Sequence, residues 1–347
     1  MSAHRKGAAS SAHGSGPVSS ARAELLDDGG AAASSAEHFF RSPEFLSAEG
    51  VTHTLRIETD DGALVAPLIV RDIPAAGSAA PERDATSPYG YPGLVPAADR
   101  SEHSAPPGCR TFISTLDPDE IDFSATGLVS VFVRHTLGEP PLAGARGRNV
   151  VQIADPALPP KSRMSDRQQI RKNLKRGYEL RIVSGPDSSA EERAAFLEAY
   201  EQTMRRTEAA ERYFFGAEYF DRLLAATSTW LALARAPDGI VAAASIAARS
   251  DGFLHYYLSG SVDSHLRDSP MKNVVAALVE LGGEIGLPLN LGGGITAGDR
   301  LEEFKRGFAN REEAWRSSEL ICDREAYSRL SQGIEAGEYF PAYRAAG

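Results

Sequence analysis

Cysteine is scarce in this chain, and long apolar runs are missing. Of its 347 residues only two are cysteines, Cys109 and Cys322, too few and too far apart in sequence for a disulfide framework. We therefore expect two ordinary thiols in a reducing, cytoplasmic compartment. No apolar stretch approaches the length of a membrane span, about 20 residues. The N-terminus also lacks the apolar region of a secretory signal, so the sequence predicts no membrane segment and no export.

Charge and histidine content exclude two further classes of protein. The eight histidines are scattered without the spacing of metal ligands, so we expect no metal site. A net charge of −10 argues against a general nucleic-acid coat. Positive charge is nevertheless concentrated in residues 161–181, which carry eight basic side chains. This segment is either a site for an anionic ligand or a solvated helix with favourable basic charge near its C-terminus.

Composition and periodicity divide the chain into four parts. Residues 1–36 are rich in alanine, serine and glycine without periodicity, which predicts a disordered tail. Residues 37–160 predict an N-terminal lobe with a hairpin, further strands and a long loop-like stretch over 74–110. Residues 161–330 predict a C-terminal domain, and residues 331–347 a C-terminal tail.

The C-terminal domain has the most regular pattern. Over residues 178–323 the predicted order is β-α-α-β-β-β-α-β-α-β, with period-two strands, helices of helical apolar spacing and turn residues between them. This order resembles the core of the GNAT acyltransferases.

Five motifs extend the likeness to one branch of that superfamily. They are SPYGYPG (87–93), RQQIRKNLKRGYEL (167–180), the run containing TMRRTEAAERYFF (200–220), HYYLSGS (255–261) and LGGGITAGDRLEEFKRGF (291–308). With these motifs the chain is similar to the Fem-type acyltransferases, which add amino acids to peptidoglycan precursors or to other amine acceptors. Members of this branch mostly use aminoacyl-tRNA as the donor.

The resemblance implies a fold and a set of partners. The fold is α/β, with tandem GNAT-like acyltransferase domains built from mixed sheets flanked by helices, the N-terminal one less complete. The donor is aminoacyl-tRNA, and the acceptor is an amine-bearing cell-wall precursor or related small metabolite. Both are co-substrates, so no cofactor is implied. We expect a cytoplasmic monomer.

Lys305 is the first candidate for a catalytic role. Acyl transfer to an amine passes through a tetrahedral oxyanion, which needs a cation or well-placed donors at the acyl carbonyl. Lys305 is one of only six lysines and lies in a predicted helix between Phe304 and Phe308. The resemblance implies the same role, since the matching family lysine lies near the reacting ester. The alternative is a surface lysine whose stem covers apolar neighbours.

Gly292, Gly293 and Gly294 end the short strand before that helix. Their spacing fits neither the dinucleotide fingerprint nor the P-loop. They follow a strand of a predicted open α/β sheet, where ligands bind. Either they let a substrate approach bare backbone, or they form a tight strand-to-helix turn, and both explanations can hold together.

The HYYLSGS motif predicts a strand that lines the site. Alternation places His255, Tyr257 and Ser259 on one face and Tyr256 on the other. Tyr256 and Tyr257 are candidate catalytic residues, which would relay a proton or hold the donor. His255 is a weaker candidate base, because a lone strand histidine is more often structural.

The remaining candidates are predicted to bind substrate. The SPYGYPG loop would cover the acceptor, the basic segment would meet donor or acceptor phosphates, and the other residues come from the motifs above. These binding candidates are Ser87, Tyr89, Tyr91, Arg171, Lys175, Arg205, Ser259, Gly292, Gly293, Gly294 and Phe304.

Two other functions remain open from the sequence. An acyl-CoA-dependent N-acetyltransferase is the first, although the connection SVDSHLRDSPMKN (261–273) lacks the Q/R-x-x-G-x-G/A pattern that holds the CoA pyrophosphate in ordinary GNAT enzymes. A non-catalytic, ligand-binding GNAT-like module is the second. Lys305 and the intact glycine run argue against a non-catalytic module. A mechanism with a cysteine nucleophile is also disfavoured, because the negative charge of Asp323 beside Cys322 opposes formation of a thiolate.

Overall fold

The strands of this protein form one continuous mixed sheet with helices packed against it. The computed structural model describes residues 21–34, 37–74, 81–97, 113–296 and 298–345. The strands are β1 Ala21–Leu26, β2 His53–Thr59, β3 Gly62–Asp72, β4 Arg83–Thr86, β5 Val95–Pro96, β6 Ile121–Asp122, β7 Ser130–Arg134, β8 Arg146–Ala154, β9 Glu179–Ser184, β10 Thr229–Arg235, β11 Val241–Ser250, β12 Phe253–Ser261, β13 Leu289–Gly292 and β14 Arg311–Ile321. The α-helices are α1 Pro43–Ala48, α2 Met164–Lys175, α3 Ala190–Arg206, α4 Ala217–Ala225, α5 Met271–Glu284, α6 Arg300–Arg306 and α7 Arg324–Leu330. None of these helices is long and apolar enough to cross a membrane.

Two central strands join the N-terminal and C-terminal halves of the sheet. The strand order is β6-β1-β2-β3-β4-β7-β14-β8-β13-β12-β11-β10-β9, with β5 beside β3. Residues 317–321 of β14 pair with β7, and residues 311–317 pair with β8. β8 in turn pairs with β13. The two lobes therefore share backbone hydrogen bonds through β8 and β14.

The C-terminal part follows the order that the sequence predicts for residues 178–323. That order is β9-α3-α4-β10-β11-β12-α5-β13-α6-β14. The meander of β10, β11 and β12 is antiparallel, and β12 then pairs in parallel with β13. A parallel pair needs a crossover connection, which α5 supplies.

Three phenylalanines from the N-terminal part complete the C-terminal core. Phe39, Phe40 and Phe45 are 0% exposed and belong to the same apolar cluster as side chains of α3 and α4. Helix α1, which carries Phe45, packs on α4. The C-terminal core is thus completed by residues that precede it by more than a hundred positions.

The predicted tails are part of the fold wherever the structure describes them. β1 lies within the segment predicted to be disordered, and it pairs with β2 and β6. Its alternating buried residues are the small Ala21 and Ala23, which leave too weak an apolar pattern to predict a strand. At the other end, the Tyr343 hydroxyl lies 2.7 Å from Ser130 Oγ, and Arg344 ion-pairs with Asp84. Residues 1–20 lie outside the described residues.

The stretch over 74–110 was predicted to be loop-like, and its described part contains two short strands. β4 pairs with β3 and with β7, and β5 pairs with β3. β4 therefore fills the place between β3 and β7 in the sheet. Cys109 lies outside the described residues.

We expect Phe40→Ala to lower the free energy of unfolding by about 3–5 kcal/mol, because it removes a fully buried ring from a packed cluster. Denaturant unfolding of the full chain measures this change. Ile295→Ala is the control, since the Ile295 side chain is 85% exposed. Equal unfolding midpoints for the two variants would contradict the packing described above.

Candidate active site

A cavity opens where β12 and β13 separate. These parallel strands pair at Leu254↔Leu289 and His255↔Asn290. Beyond these pairs, toward the carboxyl ends of both strands, lies a cavity of about 220 Å³. The residues that line it are Tyr89, Gly90, Tyr91, Arg134, Asn149, Val151, His255, Tyr256, Tyr257, Asn290, Leu291, Gly292, Gly293, Gly294, Lys305 and Trp315. Open α/β sheets bind their ligands at this position.

The cavity brings together residues that are far apart in sequence and that the motifs predicted. These are Tyr89, Tyr91, Tyr256, Tyr257, Gly292, Gly293, Gly294 and Lys305. The N-terminal lobe adds Arg134 and Asn149, and β14 adds Trp315. In the part of the chain that the structure describes, no group of three or more metal-ligating side chains is close enough to hold a metal ion.

Lys305 is buried at one side of this cavity. Asp299 caps α6 by accepting a hydrogen bond from the Glu302 amide at 2.7 Å, and Lys305 extends from that helix with 8% exposure. Its Nζ donates to the Gly293 carbonyl at 2.7 Å, and no described carboxylate forms an ion pair with it. Burial lowers the pKa of Lys305 to about 8, opposed by the negative charge of Asp299. An ammonium has three N–H groups, so two have no partner among the described residues.

The three glycines permit this arrangement. Gly292 has φ +77, and a Cβ there would lie 3.1 Å from Lys305 Nζ. A Cβ on Gly293 would lie 2.5 Å from Asn149 Nδ2, and one on Gly294 would lie 2.5 Å from the carboxylate that caps α6. The turn thus packs tightly, in agreement with the predicted strand-to-helix turn. It also presents the backbone carbonyl that Lys305 contacts.

His255 holds this turn in place as a neutral ring. Its Nε2 lies 3.2 Å from the Ser250 carbonyl, which can only accept, so Nε2 carries the proton. Its Nδ1 then accepts from Asn290 Nδ2 at 3.0 Å, and Asn290 Oδ1 accepts from the Gly292 amide at 2.8 Å. Burial lowers the pKa of His255 to about 4. These contacts indicate a structural role for His255, which supports the turn that contains the glycines.

A β-bulge changes the predicted faces of β12. The register with β11 shifts between Ile246 and Ala247, so that Tyr257 is the extra residue. The Tyr256 hydroxyl therefore donates to Ser259 Oγ at 2.6 Å, although strict alternation predicted opposite faces for these two residues. The prediction was wrong because a bulge reverses the alternation beyond it.

A partly buried carboxylate that the sequence did not indicate lies behind Tyr257. Glu49, at the end of α1, accepts from the Tyr219 hydroxyl at 2.6 Å and from the Tyr89 amide at 3.0 Å. The Tyr219 and Tyr257 hydroxyls are 3.4 Å apart. Burial raises the pKa of Glu49, partly offset by these hydrogen bonds. A chain of hydroxyls thus leads from the cavity to a carboxylate with an increased proton affinity.

Arg134, also missed, lies at the end of β7. Its guanidinium carbon is 5.6 Å from the centre of the Tyr89 ring, 5.6 Å from that of Phe132 and 5.2 Å from that of Trp315. Its backbone amide donates to Ser87 Oγ at 3.1 Å. Its Nε is buried without a hydrogen-bond partner, and burial lowers its pKa.

Six predicted binding residues lie outside the cavity lining: Ser87, Ser259, Phe304, Arg171, Lys175 and Arg205. Ser87 and Ser259 support Arg134 and Tyr256 through the hydrogen bonds above. Phe304 packs against Phe308, with ring centres 5.6 Å apart. Arg205 pairs with Glu201 on the exposed side of α3. Their binding roles stay predictions.

The basic helix α2 starts beside the helix that carries Lys305. Arg163 Nη2, just before α2, donates to the Glu303 carbonyl of α6 at 2.9 Å. Twelve helical residues extend about 18 Å from that contact. Arg171 and Lys175 are exposed on α2, and no described carboxylate pairs with either. α2 therefore exposes positive charge that no described carboxylate balances.

Comparison with known proteins agrees with this architecture. A family model described as an acetyltransferase (GNAT) domain matches residues 160–306. The crystal structure of FemX is similar with a TM-score of 0.54 and 13% sequence identity, over 80% of this chain and 89% of that chain. This chain therefore has a tandem GNAT-like α/β fold, and the FemX structure shares that fold.

A second solved structure is also similar to this chain in fold. It is the DUF2156 C-terminal domain of a protein assigned as a lysylphosphatidylglycerol synthetase from Agrobacterium fabrum. Its TM-score is 0.50 and its identity 14%, over 85% of this chain and 89% of that chain. No curated protein is significantly similar to this chain in sequence. Identities this low establish the fold, and the activity has to be argued from the site.

We expect NMR of the protein with 13C-labelled lysine side chains to show one lysine that titrates near pH 8, because burial disfavours its charged form. With six lysines in the chain, the spectrum is simple. The Lys305→Met spectrum should lack that signal. If every lysine titrates near the ordinary value of about 10.4, Lys305 is not buried as described.

Proposed function

We propose that this protein transfers an aminoacyl group from aminoacyl-tRNA to an amine acceptor, with the reaction centre in the cavity at the ends of β12 and β13. The observation that carries the proposal is the buried ammonium of Lys305. It has no carboxylate partner among the described residues and keeps two N–H groups for a ligand. A cation held in a site of low polarity stabilises a developing oxyanion strongly.

The proposed reaction is direct attack without a covalent enzyme intermediate. The acceptor nitrogen attacks the acyl carbonyl, an amide bond forms, and the ester bond to the terminal ribose of the tRNA breaks. Lys305 donates hydrogen bonds to the oxyanion or to the departing ribose oxygen. Its lowered pKa of about 8 also makes it a better proton donor to that oxygen than an ordinary lysine. One proton is transferred overall from the amine to the ribose hydroxyl.

The hydroxyl chain behind the cavity offers a route for the amine proton. Tyr257 contacts Tyr219, and Tyr219 donates to Glu49. Because burial raises the pKa of Glu49, its carboxylate is a better proton acceptor than an exposed glutamate. Tyr256 is fixed by Ser259 and shapes the wall of the cavity.

The basic helix supports tRNA as the donor. α2 begins at α6 and displays Arg171 and Lys175, which we propose to contact phosphates near the aminoacylated end. Phosphate contacts of this kind do not depend on base sequence, and they fit a net acidic protein that has one local basic surface.

Acyl-CoA is the second candidate donor, because the matching family model is described as an acetyltransferase domain. Ordinary GNAT enzymes bind the CoA pyrophosphate at the connection that corresponds to the one between β12 and α5 in this chain. Here the connection from β12 to α5 carries Asp268, which pairs with Arg176 at 2.6 Å and accepts from Tyr178 at 2.9 Å. The amide groups of Gln169 and Asn173 cover its backbone carbonyl. Because this connection lacks the glycine pattern and α2 covers it, it favours aminoacyl-tRNA over CoA.

We expect Lys305→Met to lower the rate of transfer by about 10²-fold or more, the usual effect of removing an oxyanion donor. The substitution removes a buried ammonium whose charged form burial disfavours, so the free energy of unfolding should not fall. Single-turnover transfer from a pool of labelled aminoacyl-tRNAs measures the rate.

Arg306→Met is the matched control for this prediction. It removes the adjacent positive charge, which is exposed and pairs with Glu302, and transfer should remain near the original rate. Transfer should also decline as pH rises through about 8, where Lys305 loses its proton. Full activity of Lys305→Met in a folded protein would refute the proposed role.

A second prediction concerns the donor. Arg171→Gln combined with Lys175→Gln should weaken tRNA binding and reduce the slope of log affinity against log salt by about 2, one for each lost phosphate contact. Binding is measured at several salt concentrations. The control neutralises two arginines of α7, Arg324 and Arg329, which already pair with Asp119 and Glu82. Equal slopes for both double variants would remove α2 from the donor site.

A further inference from the structure

Arg134 is a cation at the wall of the cavity that has no anionic partner among the described residues. Its guanidinium lies among the rings of Tyr89, Phe132 and Trp315, and its Nε is buried and unpaired. No ion pair joins it to a described carboxylate. Burying a charge in this way costs free energy unless a partner compensates it.

Neighbouring arginines show the usual arrangement. Arg148 stacks on the same Phe132 ring, 5.3 Å from its centre, and pairs with Glu319. Arg311 lies 6.0 Å from the Phe253 ring and pairs with Asp155 at 3.2 Å. Arg134 has the aromatic contacts of these residues and lacks their carboxylate. The missing partner is therefore the unusual feature.

The carboxylate that acts on Arg134 electrostatically is already occupied. Burial lowers the pKa of Arg134, and the negative charge of Glu49 is among the effects that oppose this shift. Its two oxygens accept from Tyr219 and from the Tyr89 amide, and it forms no ion pair with the guanidinium. Tyr89 therefore lies between the two charges, with its backbone on Glu49 and its ring on Arg134. A ligand beside Tyr89 meets the guanidinium of Arg134, while the Glu49 carboxylate lies outside the cavity lining, behind Tyr257.

The shape and chemistry of the cavity restrict what that ligand can be. A guanidinium is a planar fork that matches a carboxylate with two parallel hydrogen bonds. The cavity holds about 220 Å³, below the range of about 300–1,000 Å³ for sites of drug-sized ligands. The lining cations are Arg134 and Lys305, and the proposed reaction uses Lys305 for the acyl group. One guanidinium remains, which balances a single carboxylate.

We propose that Arg134 binds a carboxylate of the acceptor, so that the acceptor is an amino acid or a molecule that ends in one. The carboxylate pairs with Arg134 while the amine lies toward Tyr257 and Glu49. This inference rests on the proposed amine-acceptor function. Arg134 is then a specificity-determining residue, because an amine without the carboxylate leaves the guanidinium unpaired.

Calorimetric binding to the full chain without donor tests this proposal. The probes are free L- and D-amino acids, their carboxamides, and inorganic phosphate. We expect at least one acid to bind ten times or more tightly than its amide. Arg134→Met should remove that preference, and Arg134→Lys should keep part of it, because the charge stays while the fork is lost. The control Arg148→Met should keep the preference in full, because Arg148 already has a partner.

Each other result overturns the proposal. These results are equal binding of acid and amide, no binding of any acid, a preference that survives in a folded Arg134→Met, or Arg134-dependent binding of phosphate alone. Unfolding midpoints confirm that the variants fold. The experiment uses no donor, so it is independent of the proposed transfer. If acids bind but no transfer is found, the carboxylate subsite stands and the proposed function fails. If transfer is found but acids bind no better than amides, the proposed function stands and the carboxylate subsite fails.

Discussion

The hydrogen bond from Lys305 Nζ to the Gly293 carbonyl connects the elements that build the site. It requires a helix that follows β13 after a glycine-containing turn, a strand end without side chains, and a buried ammonium that no described carboxylate pairs with. Gly292 adopts φ +77 and leaves 3.1 Å between a Cβ and the ammonium, so a side chain there would press on Lys305. The neutral His255 and Asn290 hold the same turn from below. The fixed backbone of the turn thus holds the Lys305 ammonium at the wall of the cavity.

The continuous sheet explains why the cavity has walls from both lobes. β8 and β14 carry hydrogen bonds from one half to the other, so Asn149 and Trp315 reach the ends of β12 and β13. The phenylalanines around α1 seal the other side and bring Glu49 behind Tyr257. In the proposed reaction, acyl chemistry lies at the C-terminal lobe and acceptor recognition at the N-terminal lobe, so that a substrate contacts both.

Much of this arrangement could be predicted from the sequence, and the limits have physical causes. The order of elements over residues 178–323 follows from local periodicity, and the glycines, Lys305 and the tyrosines lie in the motifs that carry the family resemblance. No local sequence pattern distinguishes Arg134 or Glu49, because each is one charged residue among many. Their importance comes from burial and from missing or occupied partners, which only the fold defines. Tyr256 and Ser259 were assigned to opposite faces because a bulge cannot be seen in strand alternation. β1 was missed because its buried residues are alanines.

The identity of the donor tests the account most directly. The purified full chain would be titrated separately with acetyl-CoA and with a mixed pool of aminoacylated tRNAs. We expect saturable, salt-sensitive binding of aminoacyl-tRNA, discrimination against deacylated tRNA through the acyl group at Lys305, and weak or no binding of acetyl-CoA. Saturable binding of acetyl-CoA without affinity for tRNA would contradict the account, and would make this protein an acetyltransferase whose connection from β12 to α5 lacks the usual glycines.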